Sequence, residues 1–324
     1  MIRHKRLLRV ALAVLVGILV AVLGYYVAGR IHRSRVGSPE PLVSEDDDDP
    51  GDFVGRMPPD HKPLPRERLR YEITTPLGKS GELVLAVGPD GQRGEGRAAY
   101  RVTASVATSP AVSSVYVVEG QITSLIDART LLPIEYAERV HYGFAVAIDR
   151  SHKKLVYERS PASVTAYEDK GDGLELRDGP RSIPPDAHHF MSIPYYLRHR
   201  PMAPGDSFEM VASDRKRDVV AHISVLREEP VELPAGETRD ALVIEVRSDL
   251  TRRLWKGARL LVWVDKAEGY PHRIDASMAL GTITATLAER TVRATERATT
   301  TGDTPNTPGA GPTGQSDPLP SRDQ

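Results

Sequence analysis

The chain has 324 residues, with 43 Lys and Arg against 44 Asp and Glu and no cysteine. A net charge of −1 gives no electrostatic case for nucleic acid, which needs a basic patch or stripe. The lack of cysteine excludes disulfides, thiol nucleophiles, thiolate metal sites and a lipid-attachment cysteine.

Residues 1–9 form a basic leader carrying Arg3, Lys5, Arg6 and Arg9. Residues 10–29 follow as an uncharged run, close to the roughly 20 residues that cross a ~30 Å hydrocarbon core, with Tyr25 and Tyr26 at its outer end where aromatic side chains favour the interface. The run reads as a transmembrane anchor through which the chain meets the membrane. The alternative is a cleaved signal segment, whose apolar part is shorter, about 7–15 residues. The short basic leader favours the N-terminus inside and the bulk outside. This makes the chain a single-pass membrane protein with its folded part on the outer side, or one released to that side after cleavage; with the family resemblance given below, the expected location is a bacterial inner membrane with the β domain in the periplasm.

Residues 30–66 are a Pro-rich charged linker whose sign changes from Arg30, Arg33 and Arg35 to the acidic run Glu45-Asp46-Asp47-Asp48-Asp49. Such a segment is extended and exposed. A calcium loop starting at Asp46 fails, because Pro50 and Met57 fall at ligand positions. The acidic run is read as a solvated charge cluster.

From 67 to 291 the pattern is that of strands. Tyr100, Val102, Ala104 and Val106 alternate with Arg101, Thr103 and Ser105, the signature of a half-buried strand. Similar runs stand at 82–87, 115–126, 134–142, 145–148, 154–159, 164–167, 174–176, 208–212, 219–226 and 241–246, with turn signals such as Gly88-Pro89-Asp90-Gly91 and Pro204-Gly205-Asp206 between them. The fold class is therefore mainly β, a predominantly antiparallel sheet, sandwich or barrel with one short helix, plus the N-terminal transmembrane helix. The helix is expected near Phe190, Ile193 and Leu197, with Ser192 as its cap and Pro194 in its first turn. His188 and His189 are adjacent, lack a His-x-x-x-His partner, and read as polar, partly exposed residues rather than metal ligands. No metal or cofactor is called.

The run 259–264 is apolar on both faces, with Leu261 and Trp263 on one and Leu260, Val262 and Val264 on the other. Beyond the turn 266–271, Ile274, Ala276, Met278 and Leu280 share a face, and Ile283, Ala285 and Leu287 are out of phase by one residue. Placing the slip at Gly281 makes this one long strand bent by a bulge. After it, residues 292–324 form a Thr/Pro/Gly tail with too little apolar surface to offset ordering entropy.

No nucleophile elbow, phosphate loop or dinucleotide loop is present. The chain reads as a non-enzyme. Phe190, Met191, Ile193, Tyr195, Tyr196, Leu197, Trp263 and Met278 are either plain core or the lining of an apolar cleft between sheet and helix.

The order Tyr195-Tyr196-Leu197-Arg198, Pro204-Gly205, Glu229, Pro234-Ala235-Gly236, Trp263-Val264-Asp265, Pro271, Ile274 and Gly281 resembles the bacterial envelope family known as domain of unknown function 3108, over roughly 67–289. The resemblance implies a secreted or membrane-anchored β-rich domain with no established reaction. It also implies a curved sheet similar to the half-barrels of outer-membrane lipoprotein carriers. The family commonly has an acid three positions before the serine of this helix, where His189 stands. Together these readings give a membrane-anchored envelope protein that binds an apolar or lipid-like ligand. The alternative is a structural protein docking another envelope component through a sheet edge, and a hydrolase stands third.

Overall fold

The computed structural model describes residues 62–93, 97–169, 173–233, 236–248, 259–278 and 281–293. The expected span at 10–29 lies outside them, as do the leader, most of the linker and nearly all of the tail. Among the described residues no helix is long and apolar enough to cross a membrane.

Fourteen strands form one antiparallel sheet. In chain order they are β1 (Arg66–Thr75), β2 (Gly78–Arg93), β3 (Arg97–Thr108), β4 (Tyr116–Asp127), β5 (Pro133–Phe144), β6 (Ala147–Arg159) and β7 (Ala162–Asp169). They continue as β8 (Leu174–Ser182), β9 (Ser207–Ser213), β10 (Asp218–Glu232), β11 (Thr238–Ser248), β12 (Arg259–Asp265), β13 (Pro271–Met278) and β14 (Gly281–Arg293). Each strand pairs with its sequence neighbour except at two places. β1 pairs with β14, from Arg66↔Arg293 to Thr74↔Thr284, and β8 does not pair with β9, so these two strands are the edges of an unclosed sheet. The connection 183–206 runs from one edge to the other.

The strands form where period-two alternation sets an apolar face against the core. Tyr100, Val102, Ala104 and Val106 are buried on β3 as their alternation demands, and Leu69, Tyr71 and Ile73 do the same on β1. The main core joins β1–β7, β13 and β14 with residues of the edge-to-edge connection. A second cluster under β9–β12 holds Phe208, Met210, Ile223, Val225, Leu242, Ile244 and Val264. A third, on the opposite face of β11 and β12, holds Ala241, Val243 and Trp263.

Three expectations are corrected. The region 271–293 is not one bent strand but the hairpin β13–β14, with Ile274 opposite Ala285 and Met278 opposite Gly281. A two-residue hairpin turn produces the same one-residue slip in apolar phase as a bulge, and here the turn is the cause. The runs 145–148 and 154–159 are not separate strands, since 147–159 is continuous. Its polar middle, Asp149 to Lys153, lacks alternation but is held by its ladder to β5. Among the described residues two helices, not one, accompany the sheet: α1 (Pro110–Ser113) and α2 (Ile193–Leu197).

Gly281 has φ +125°, and a Cβ there would lie 2.4 Å from Cγ of Pro76. Gly173 has φ +115° with nothing within 4 Å of such a Cβ. Gly281→Val is therefore expected to cost about 2–4 kcal/mol, combining backbone strain with overpacking, and Gly173→Ala about 1 kcal/mol, from strain alone. Denaturant unfolding of the two variants should separate them; equal losses would contradict the packing of Pro76 on Gly281.

Candidate functional site

The connection 183–206 is the one long segment laid on the concave side, and it is attached at three places. His188 forms a single parallel bridge with Ala212 of β9, donating from its amide to the Val211 carbonyl at 2.8 Å and accepting at its carbonyl from the Ser213 amide at 2.8 Å. The Arg159 guanidinium donates to the carbonyls of Pro133 at 2.9 Å, Pro185 at 3.2 Å and Ala187 at 3.2 Å. At the far end, Arg198 pairs with Glu67 at 2.7 Å, both side chains almost fully buried.

Ser192 occupies the N-cap position of α2 but makes no cap bond. Its hydroxyl donates to the His189 carbonyl at 2.9 Å and accepts from the His189 amide at 3.1 Å. With that proton committed, Nδ1 of His188, 3.0 Å away, is the donor to Ser192 Oγ. His188 and His189 are each only 3% exposed, which overturns the reading of them as partly exposed. Their charged forms are disfavoured by burial: His188 is pushed down to about 3, with Arg159 adding to the effect. His189 is pushed well below its ordinary value by burial and by Lys153. An uncharged imidazole suits the place of His189, whose ring centre lies 4.0 Å from that of Tyr136 and 4.1 Å from that of Phe190.

Behind this aromatic stack sits a buried polar patch on β5 and β6. Glu138 and Lys153 are directly opposite in the ladder and on the core face, with Nζ 3.3 Å from the carboxylate. The Tyr136 hydroxyl donates to the same carboxylate, and Ser151 Oγ donates to it at 2.6 Å. Burial outweighs these partners. It pushes the Glu138 carboxyl up and the Lys153 ammonium down, so burial draws both groups towards their neutral forms. Tyr157, on the same face of β6, donates to the Ser213 carbonyl at 2.9 Å and ties this wall to β9.

The two sheet edges approach each other beside the patch and are joined by side chains. Arg181 of β8 donates to the Asp214 carbonyl at 2.6 Å and pairs with Asp218 at 2.9 Å. Arg215 lies 3.3 Å from Asp178 and 3.6 Å from Glu168. At the opposite rim, Glu67 also pairs with Arg290 at 2.8 Å. The Arg290 guanidinium lies 4.0 Å over the Tyr270 ring, and a Cβ on Gly269 would lie 2.9 Å from Cα of Arg198. The β12–β13 turn is thereby locked onto the end of α2.

Of the residues expected to line a cleft, Met191 and Tyr195 are buried in the main core with Phe190 packed against it. Tyr196 is buried in the second cluster, with Ile193 and Leu197 against it. These six come together on the concave face and cover it. Trp263 is not with them: it lies on the other face, where Nε1 donates to Glu229 and Arg273 lies 4.8 Å over its ring. The side chain of Met278 lies outside the described residues. Sequence reasoning missed Tyr136, Glu138, Ser151, Lys153 and Tyr157. The signal was present, because Glu138 falls in phase with Tyr136 and Val140, and Lys153 with Leu155 and Tyr157, charges on the apolar phase of two strands. Among the described residues no group of three or more His, Asp or Glu is placed to hold a metal ion.

The arrangement is that of a barrel-like β domain, an open antiparallel sheet closed by a strap and by side-chain ion pairs. The chain belongs to the family described as Protein of unknown function (DUF3108), whose profile matches residues 70–288. Among solved structures it is similar to a β-barrel-like protein of the DUF1849 family from Brucella abortus, at 9% identity and a TM-score of 0.49, covering 72% of this chain and 100% of the other. It is also similar to a candidate exported protein with a YmcC-like fold from Bacteroides fragilis, at 10% identity, TM-score 0.29, and 74% and 100% coverage. A third is a candidate lipoprotein from Parabacteroides distasonis, at 11% identity, TM-score 0.28, and 71% and 97% coverage. No curated protein matches the chain.

Lys153→Met removes the cation facing a buried carboxylate and is expected to destabilise the protein by about 3–5 kcal/mol near neutral pH. Adding Glu138→Gln should recover most of the loss. In the single variant the folded state holds a proton on Glu138 that the unfolded chain, titrating near ~4.3, releases. Stability should then fall as pH rises above ~4.3, because burial raises the Glu138 carboxyl in the folded state. Unfolding of the full chain at a series of pH values checks this; a loss independent of pH, or no recovery in the double variant, would exclude the pairing.

Proposed function

We propose that this is a non-catalytic binding domain of the bacterial envelope. It is held at the inner membrane by residues 10–29, or released to the periplasm by cleavage there, and takes an apolar, lipid-like ligand between the concave face and the strap 183–206. The observation that carries the reading is the patch of Glu138, Lys153, Ser151 and Tyr136 set beneath the strap in an interior lined mostly by apolar and aromatic side chains. A mostly apolar concavity with a few fixed polar groups is what an amphipathic ligand requires. Phe190, Met191, Ile193, Tyr195, Tyr196 and Leu197 fill the place of the guest in the present state, and the strap that carries them has one backbone bridge to β9. Entry then requires the strap to move and His189 to leave its stack on Tyr136. No cofactor and no nucleic acid enter this reading.

The second reading is docking of another envelope component along β8, and a separate observation favours it. β8 is exposed along nearly its whole length, with Leu174 and Leu176 turned to solvent, and an open edge strand is a template for an added strand.

The test is native mass spectrometry of the full chain purified in mild detergent from its own host, followed by extraction of whatever it carries. A near-stoichiometric apolar molecule, depleted when the strap is pinned by a disulfide between Ala187→Cys and Ala212→Cys, is the expected result. A chain that carries nothing and takes up no lipid from a mixed extract sinks the ligand reading. A photocrosslinker at Leu176 that captures the same single protein in cells would then favour docking.

A further inference from the structure

In an up-and-down sheet, turns after odd-numbered strands lie at one rim and turns after even-numbered strands at the other. The chain enters the sheet at Arg66 and leaves it at Arg293 on the second rim, together with the strap and the Glu67–Arg198–Arg290 network. The first rim is different. The tips of three adjacent hairpins, β1–β2, β3–β4 and β5–β6, present large apolar side chains to solvent: Leu77 at 67% exposure, Val115 at 40%, and Phe144, Val146 and Ile148 at 38%, 96% and 47%.

These tips are built to hold together. The Ala145 amide donates to the Val115 carbonyl at 3.0 Å, and Tyr116 meets Phe144 edge to face with ring centres 5.2 Å apart. With strands ~4.8 Å apart, the row from Val146 to Leu77 spans four strand spacings, about 20 Å. In a chain in which 27% of residues are charged, segments 75–81, 108–115 and 142–148 contain a single charge, Lys79. That ammonium is already shared with Glu72. Acids and bases resume within a few residues, at Glu119, His141, Asp149 and Arg150.

We propose that this rim is a bilayer contact, in which Leu77, Val115, Val146 and Ile148 enter the lipid interface with Phe144 and Tyr116 at headgroup depth. Three observations select a lipid surface over a protein partner. The apolar side chains stand on separate protruding turns rather than in one flat patch; the tips carry no anion that phosphate headgroups would repel; and the aromatic rings lie just behind the aliphatic tips, where an interface places them. Because Lys79 is engaged by Glu72, apolar burial drives the contact, and its salt dependence is small. The inference is independent of any ligand in the interior. The contacting rim is the one opposite the chain's entry, so tethering through residues 10–29 does not by itself bring it to lipid.

The chain has no cysteine, so single labels can be placed without background. Val146→Cys, and as control Val292→Cys, which is exposed on the opposite rim, would each carry an environment-sensitive fluorophore. Each full-length chain would be reconstituted in phosphatidylethanolamine and phosphatidylglycerol vesicles containing a lipid with a nitroxide at a shallow acyl position. The label at 146 is expected to shift to the blue and be quenched, and the label at 292 to remain unquenched. With a label at Val115→Cys, adding Phe144→Asp and Ile148→Asp should reduce the bilayer-bound population by at least about tenfold, with little change on raising salt. A label at 146 quenched no more than that at 292 overturns the proposal. So does a label at 146 that is shielded from aqueous iodide yet untouched by the lipid nitroxide, which would mark a protein on this rim.

Discussion

Thirteen strand pairings hold the sheet, and the one that spans the chain, β1 against β14, decides where its free edges fall. Because the first and last strands meet in the middle, the edges are β8 and β9, consecutive in sequence. The segment between them must then cross the whole concave side. A linear meander with free ends would have left its terminal strands as edges and its interior open. Here the crossing segment covers the interior, supplies the only backbone bridge onto β9 outside the ladder among the described residues, and carries the residues that pack both inner clusters. The strap is a consequence of topology before it is a feature of function.

A strap so placed has to be held without a ladder, and the chain does this with buried charge at both ends. Glu67 and Arg198 are buried together at one end, with Arg290 half-buried beside them; Arg159 binds three strap and loop carbonyls towards the other. Taking such ions out of water costs several kcal/mol each, and close pairing only offsets that cost. Their return is a single geometry: a guanidinium fork fits one arrangement of acceptors, while an apolar strap on an apolar wall can slide. The Glu138–Lys153 pair is different in kind. It holds no segment in place, being one cross-strand pair within a hairpin already paired by backbone, and burial brings both groups towards neutrality. On the reading proposed above, this polar pair under the strap serves what the interior accommodates rather than how the sheet folds.

Much of this was legible in the residues. Tyr100 to Val106 announce their strand and face, a short helix beginning at Ile193 is expected from the spacing of Phe190, Ile193 and Leu197, and the two-faced character of 259–264 points to a central strand or one with a face covered by something else. The failures have particular causes. A one-residue slip at Gly281 fits a bulge and a two-residue turn equally well, and only the partner strand distinguishes them. Trp263 was assigned the correct face but the wrong company, since period-two reading separates faces without saying which one is concave. His188 and His189 looked polar because burial of a neutral imidazole depends on the rings around it, Tyr196 for His188 and Tyr136 and Phe190 for His189. Of those, Tyr136 is more than fifty positions away. Glu138 and Lys153 were readable as charges out of phase with their surroundings, but that they face each other follows from the β5–β6 register, which the sequence leaves open.

The two rims divide the molecule by chemistry. One gathers the chain's entry and exit and the buried ion pairs around Glu67; the other carries the three adjacent hairpin tips nearly free of charge, β1–β2, β3–β4 and β5–β6, and beyond them the charged β9–β10 turn. The edge-to-edge seam lies towards the rim opposite the chain's entry, because Arg181 of β8 clasps Asp214 and Asp218 around the β9–β10 turn, and Arg215 reaches back to Asp178 and Glu168. Surface ion pairs of this sort are worth little individually, about 0–1 kcal/mol, while the network around Glu67 is buried and costly to break. The weaker closure therefore stands at the seam and the stronger one at the entry rim. A guest large enough to displace Phe190 and Met191 meets less resistance by parting β8 from β9 than by pulling α2 away from β1. If an apolar ligand reaches Glu138 and Lys153, the seam is its route, and the strap stays tethered at Arg198 while its His188 end lifts.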